Sequence, residues 1–324
     1  MQNVVLVAGA GGFIGGHLVA NLVQRGDCDV RAVDVKPFSE WYQVHPGVEK
    51  LQLDLRDRQN CIHACQNATA VYNLAADMGG MGFIEHHKAE CMLSVLIGTH
   101  LLLAARDQGV SRVFFASTAC VYNASKQTRA HVSPLKEEDA YPAMPEDGYG
   151  WEKLFTERLH RHFREDYGLT TRVARFHNVY GPHGTWHGGR EKAPAAICRK
   201  VAIAKLSGKH EIEIWGDGEQ TRSFMWIDDC IHGIHLIADG HYSDPMNLGS
   251  SELISINDLV SMTEDIAGVK LRRHFKLDAP KGVRGRNSDN TLIQQEYGWE
   301  PSTPLRVGLE RTYAWIYDQI VGEA

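Results

Sequence analysis

The segment from Asn3 to Asp34 confines the chain to a narrow set of folds. NVVLVAGAGGFIGGHLVANLVQRG reads as a buried strand, a glycine turn and an amphipathic helix. Gly9, Gly12 and Gly15 form GxxGxxG, which permits a tight turn, close backbone approach to an anion and tight packing of helix on strand. The helix start, with Phe13 and Ile14 in its first turn, then presents free N–H groups to a pyrophosphate. A second strand pattern, DVRAVDV, ends in Asp34. A carboxylate about 20 residues beyond the glycines accepts from an adenosine ribose 2′-hydroxyl and repels a 2′-phosphate, so the segment predicts NAD rather than NADP.

Further strand patterns lie at Lys50–Leu55, Ala70–Leu74 and Arg112–Ser117, separated by helical patterns such as Cys91–Gln108. The alternation predicts an α/β protein with a Rossmann-type, doubly wound parallel sheet. Asp54, at the end of the third strand, suits an adenine amino group, and equally a turn or helix cap. Beyond residue 176 the pattern is less regular, with helices expected near Ala193–Leu206, Ile256–Ala267 and Leu305–Ile320. A chain of 324 residues exceeds the size at which single cores stop growing. Residues 1–176 are therefore expected to form the nucleotide-binding domain, with part of 223–250 returning to it. Residues 177–324 would form mainly a smaller, interleaved substrate lobe, with ligand over the carboxyl ends of the strands.

Composition removes other classes. The net charge of −6 gives no overall attraction to nucleic acid or an anionic membrane. No apolar run was expected to reach the roughly 20 residues of a membrane span, and no charged leader precedes the first strand, so the chain is read as cytoplasmic. Its seven cysteines are odd in number and contain no CxxC pair, and its 17 histidines show no HExxH spacing. Neither a disulfide framework nor a metal site is expected.

The chemistry concentrates around YGWEK. Tyr149 and Lys153 share one helix face, and the ammonium is expected to bring the phenol towards a usable range. The preceding strand RVFFAST ends in Thr118. A phenol, an ammonium and a hydroxyl beside a dinucleotide make the acid/base half of a hydride transfer. Cys120 follows Thr118 by two residues; a thiol ordinarily titrates near 8.5, and a desolvated lysine such as Lys192 can fall towards neutrality.

GAGGFIG, STACVY, YGWEK and RFHNVYGP, in this order over nearly the whole chain, resemble the extended short-chain dehydrogenase/reductases, many of which process nucleotide sugars. DMGGMGFI, RFHNVYGPHGTWHGGREKAPAAICRK, WGDGEQTRSF and GVRGRNSDN are similar, more narrowly, to the GDP-mannose 3,5-epimerase family. That resemblance implies oxidation of a GDP-mannose-type sugar at C4 by a retained NAD, with Tyr149 carrying the hydroxyl proton, then inversion at C3 and C5 and re-reduction. The products would be GDP-L-galactose, and GDP-L-gulose where only C5 inverts. By the same resemblance Cys120 is the base and Lys192 the acid. Gly79, Ala119 and Glu191 would contact the sugar, Asn178, Lys200 and Arg286 the diphosphate and nearby hydroxyls, and Gln220, Thr221 and Arg222 the nucleotide part. A homodimer through the Tyr149 helix and its predecessor is also implied.

Alternatives remain at this stage. A 4,6-dehydratase is disfavoured because Ala119 and Cys120 stand where such enzymes carry an acidic pair. A GDP-fucose synthase-like epimerase/reductase typically pairs its cysteine with histidine and consumes NADPH, which Asp34 disfavours. A plain 4-epimerase leaves Cys120 and Lys192 without tasks, and a non-catalytic dinucleotide sensor leaves Thr118, Tyr149 and Lys153 without tasks. One departure from the family pattern is the relay asparagine, absent from Cys91–Thr99, where Ser94 is nearest.

Overall fold

The computed structural model describes residues 3–280 and 282–323. The first half runs β1 (Val4–Ala8), α1 (Phe13–Arg25), β2 (Asp29–Asp34), β3 (Glu49–Gln52), α2 (Arg58–Cys65), β4 (Ala68–Asn73), α3 (Met81–His86), α4 (Lys88–Leu93), α5 (Val95–Asp107), β5 (Arg112–Thr118), α6 (Tyr149–Tyr167) and β6 (Thr170–Phe176). The second runs β7 (Val179–Tyr180), α7 (Ala193–Ser207), β8 (Glu211–Trp215), β9 (Thr221–Ser223), β10 (Met225–Trp226), α8 (Ile227–Asp239), β11 (Met246–Leu248), β12 (Leu253–Ser255), α9 (Ile256–Ala267), β13 (Arg272–Lys276), β14 (Gly285–Arg286), α10 (Thr291–Tyr297) and α11 (Leu305–Glu323).

Every residue of β1 is buried, because both faces of its sheet are covered. Val5 and Val7 join a core with Leu18, Leu22 and Ile234, while Leu6 and Ala8 join one with Cys65, Leu101 and Phe163. The strand's period of two thus divides its side chains between two helical layers. The sheet has seven strands in the order β11-β6-β5-β4-β1-β2-β3, and its pairs are parallel. Strand order reverses between β1 and β4. In an open parallel sheet, that reversal opens a crevice beyond the carboxyl ends of the strands.

Three sequence expectations are corrected here. The third strand stops at Gln52, so Asp54 lies beyond it rather than at its end. The helical pattern expected from Cys91 begins earlier, at Lys88, and divides at Ser94, whose buried hydroxyl accepts the Asp77 N–H at 3.0 Å. Taken together, Lys88–Asp107 has the length and apolar character of a membrane span, contrary to the expectation that no run reaches that length. In this protein its buried side chains, Leu101 and Leu102 among them, pack into the core on one face of the sheet.

The second half leaves and then rejoins the sheet. β11 adds to the β6 edge in register, Met246 opposite Ala174, and α8 contributes Ile227, Ile231 and Ile234 to the α1 side of the core. Short pairings build the lobe above the crevice: β12-β9-β14, β13-β8 and β10-β7.

Candidate active site

The glycine turn meets geometric limits that no larger residue can satisfy. Gly9 has φ +84°, and a Cβ there would stand 2.9 Å from the backbone of Leu74 and Ala75, immediately after β4. A Cβ on Gly15 would lie 2.0 Å from the Gly9 carbonyl oxygen. The turn is therefore pressed into the crevice at the β1/β4 reversal. α1 starts after Gly12 with no side-chain cap, which leaves its first-turn N–H groups to an anion. Asp34 is buried at the end of β2; its Oδ2 accepts the Gly11 N–H at 3.0 Å and its Oδ1 the Lys36 N–H at 3.0 Å. These residues fit an NAD adenosine diphosphate. Asp54 has a local partner instead: Arg56 Nε and Nη2 donate to its two carboxylate oxygens, so the structure gives it the character of a turn aspartate.

Thr118 ends β5 and Tyr149 opens α6. Thr118 Oγ1 accepts the Cys120 N–H at 3.2 Å. The Cys120 carbonyl in turn accepts the Glu146 N–H at 3.0 Å, and a Cβ on Gly150 would come within 2.4 Å of that carbonyl oxygen. The glycine between Tyr149 and Trp151 is what lets α6 press against the Cys120 turn. Lys153 lies one helical turn on, its Nζ 4.6 Å from the Phe115 ring centre and 5.7 Å from that of Tyr149.

The expected lowering of the Tyr149 phenol is not what this environment produces. Burial pushes it well above its ordinary value, Cys120 and Glu152 add to that, and Thr118 opposes it. Lys153 is itself lowered by burial, with Glu152 and Glu157 opposing.

Cys120 and Lys192 share one environment. Cys120 is 8 % exposed and packs with Phe83, Ile84, Cys91 and Tyr149. Its thiol, read from sequence as titrating near 8.5, is pushed up to about 11 by burial and the Glu146 carboxylate, with Arg286 opposing. Lys192 precedes α7 and is lowered by burial, as expected; Cys120 is the next influence on it.

Most of the remaining expected contact residues are engaged within the protein. Gly79 and Gly80 zip against the 190–192 loop: Gly80 N–H donates to the Arg190 carbonyl at 3.0 Å, and a Cβ on Gly79 would sit 3.2 Å from Arg190 Cγ. Glu191 pairs with Arg199 at 2.9 Å. Ala119 is buried beside Cys120. Asn178 Nδ2 donates to the Ser223 carbonyl at 3.2 Å, and Lys200 Nζ to the Glu213 carbonyl at 2.8 Å. Gln220 donates to the Trp215 carbonyl, and its buried Oε1 has no hydrogen-bond partner among the described residues. Thr221 donates to the Ala130 carbonyl, and Arg222 to the carbonyls of Thr221 and Val283.

Arg286, expected near the diphosphate, is also engaged within the protein. The β9–β14 pairing sets it opposite Arg222, and its side chain runs under the Cys120 turn. Nη1 reaches Cys120 Sγ at 3.5 Å, Nε donates to Gln127 Oε1 at 2.7 Å and Nη2 to Glu146 Oε1 at 2.8 Å. Sequence reading missed Gln127 and Glu146. No spacing announces them, since they meet Arg286 across 159 and 140 residues.

Residues 5–249 match the description "NAD dependent epimerase/dehydratase family". The chain belongs to that family. Among its relatives, GDP-mannose 3,5-epimerase 1 of Oryza sativa subsp. indica is 44 % identical over 98 % of this chain and 83 % of its own. GDP-mannose 3,5-epimerase of Arabidopsis thaliana is likewise 44 % identical over 98 % and 83 %. A solved structure of MoeE5 in complex with UDP-glucose and NAD is 31 % identical, covers 98 % of this chain and 99 % of that one, and superposes with a TM-score of 0.81. As a member of the NAD dependent epimerase/dehydratase family, the protein uses NAD.

Proposed function

We propose that this protein is a GDP-mannose 3,5-epimerase. The observation that carries the reading is the meeting of two chemistries at one point: Thr118 and Tyr149 from the sheet domain adjoin Cys120, which shares its surroundings with Lys192 from the other lobe. The 44 % identity to plant GDP-mannose 3,5-epimerases supports it.

NAD, when bound, supplies a hydride acceptor for the sugar C4 and returns that hydride at the end, with no net oxidation. Tyr149 takes the proton of the C4 hydroxyl, and Thr118 holds the same oxygen. The resulting C4 ketone acidifies C–H at C3 and C5. Cys120 and Lys192 serve the opposite faces of the ring, one removing a proton and the other delivering one, and Tyr149 then returns its proton to O4. Gly79, Ala119 and Glu191 line the sugar; Asn178, Lys200, Gln220, Thr221 and Arg222 serve the diphosphate and nucleotide.

A homodimer is part of this reading. Met92 and Leu93 of α4, Leu96 of α5, and Trp151 and Phe155 of α6 are exposed apolar residues on neighbouring helices, a patch of the kind that a second copy covers. The seven free cysteines suit a reducing compartment, the cytoplasm.

Incubation with GDP-mannose in D₂O, followed by NMR, tests the reading. Deuterium at C3 and C5 with a product of galactose configuration is expected. Inversion at C4 alone, or no exchange with GDP-mannose while UDP-glucose turns over, would overturn it.

A further inference from the structure

Glu146 is the one carboxylate among the groups that shape the thiol of Cys120. The others are Arg286 from β14, Thr118 from β5, Tyr149 from α6, Lys192 from the loop before α7 and Arg222 from β9, with Cys91 of α4 in the same apolar cluster. Three features mark Glu146 as built for this position. Its N–H is tied to the Cys120 carbonyl at 3.0 Å. Its Oε1 takes Nη2 of the same guanidinium whose Nη1 stands 3.5 Å from Sγ. Its buried carboxylate is also a direct hydrogen-bond partner of the Cys120 thiol, so the charge faces the sulfur itself.

We propose that Glu146 is a positioning residue for Cys120: its carboxylate aims Arg286 at the sulfur while cancelling that cation's charge, so that the Cys120 thiolate, once formed, stays a strong base. The proposal rests on the reading of Cys120 as an acid/base group. Arg222, Arg286 and Lys192 gather three basic side chains around one sulfur. Without Glu146 they would hold a thiolate so firmly that it became a poor base, because basicity falls with the pKa of the conjugate acid. Burial of the Cys120 thiol and the Glu146 charge both act against ionisation, and Arg286 acts for it. The Glu146–Arg286 pair is thus a counterweight set beside the reacting group.

The test titrates thiolate absorbance near 240 nm in wild type, Glu146→Gln and Glu146→Asp, each measured against the same protein carrying Cys120→Ala. Glu146→Gln keeps an oxygen for Arg286 and removes the charge; its Cys120 inflection is expected to fall by about one pH unit or more, about tenfold in thiolate fraction at a given pH. Glu146→Asp keeps the charge and is expected to stay near wild type. An unmoved inflection in Glu146→Gln, or equal shifts in both variants, would overturn the proposal. The pH profile of deuterium entry at C3 and C5 separates the two readings. If the Glu146→Gln inflection moves and that profile does not, the control of the thiol by Glu146 stands and the acid/base role of Cys120 falls.

Discussion

Thr118, Tyr149 and Lys153 stand on the end of a central strand and the first turns of a 19-residue helix, whereas Cys120, Lys192 and Arg286 come from a turn, a loop and a two-residue strand. The first group belongs to a frame with two hydrophobic cores beneath it. The second is held by a handful of polar contacts drawn from both lobes. Regular elements place groups with little freedom, so the first group, the redox side of the proposed function, is built to stay put. The second group, the epimerising side of that proposal, is held by pairs such as Glu146–Arg286 and can be altered one contact at a time.

Substitution on the redox side should therefore be the more damaging. Tyr149→Phe removes the proton carrier alone and is expected to cost turnover roughly 10²- to 10⁴-fold, the range for a general acid/base group, with NAD content and fold retained. Near-wild-type turnover would show that the proton leaves O4 by another route and would erase the division. Cys120→Ala and Lys192→Ala come next: each should lose deuterium entry at C3 and C5 by about 10²-fold or more while a transient NADH absorbance survives. Wild-type exchange in both variants would show that the loops carry no chemistry.

A smaller effect belongs to the cofactor turn. Asp34→Ala removes the acceptor that orders Gly11 and is expected to weaken NAD binding about 10- to 100-fold, while narrowing the preference over NADP. Calorimetric titration with each dinucleotide checks it; unchanged selectivity would place discrimination elsewhere.

The gentlest test concerns the frame. His160 of α6 is fully buried, stacked on Phe115 at 4.7 Å between ring centres, and burial lowers it to about 4. An unfolded chain takes up this proton first, so the stabilising contribution is complete above the ordinary value near 6.5 and is lost as pH falls towards 4, about 3 kcal/mol in all. Urea midpoints should fall between pH 7 and pH 4.5, and His160→Phe should flatten the decline. An equal decline in the variant would move the sensitivity to other buried groups, His177 first.

The same contrast explains what could be read before the structure. Gly9, Asp34, Thr118 and Tyr149 are local signals: each sits at a strand end or helix start that hydrophobic periodicity already marks. Position in sequence then nearly determines position in space. Cys120 and Lys192 were legible only through whole segments resembling a family. Glu146 and Gln127 were not legible at all, because their meaning depends on β14 pairing with β9 and carrying Arg286 beneath the Cys120 turn. The Tyr149 phenol was misjudged for a related reason. Spacing along a helix shows that Lys153 is near, but not that burial acts on both groups and outweighs their attraction.

The return of β11 to the sheet has a consequence for synthesis on the ribosome. Until residues 246–248 emerge, β6 is an open edge, and before α8 is made the core beside the sheet also lacks Ile227, Ile231 and Ile234. A nascent chain of 176 residues thus holds the glycine turn, the aspartate and the reactive tyrosine in a sheet it cannot finish. An open edge of this kind invites pairing with another chain. Contacts between residues about 70 apart must close before the sheet is sealed, which slows completion. Chains ending before residue 246 should aggregate during translation, whereas chains carried past Gly249 should leave the ribosome with a sealed sheet.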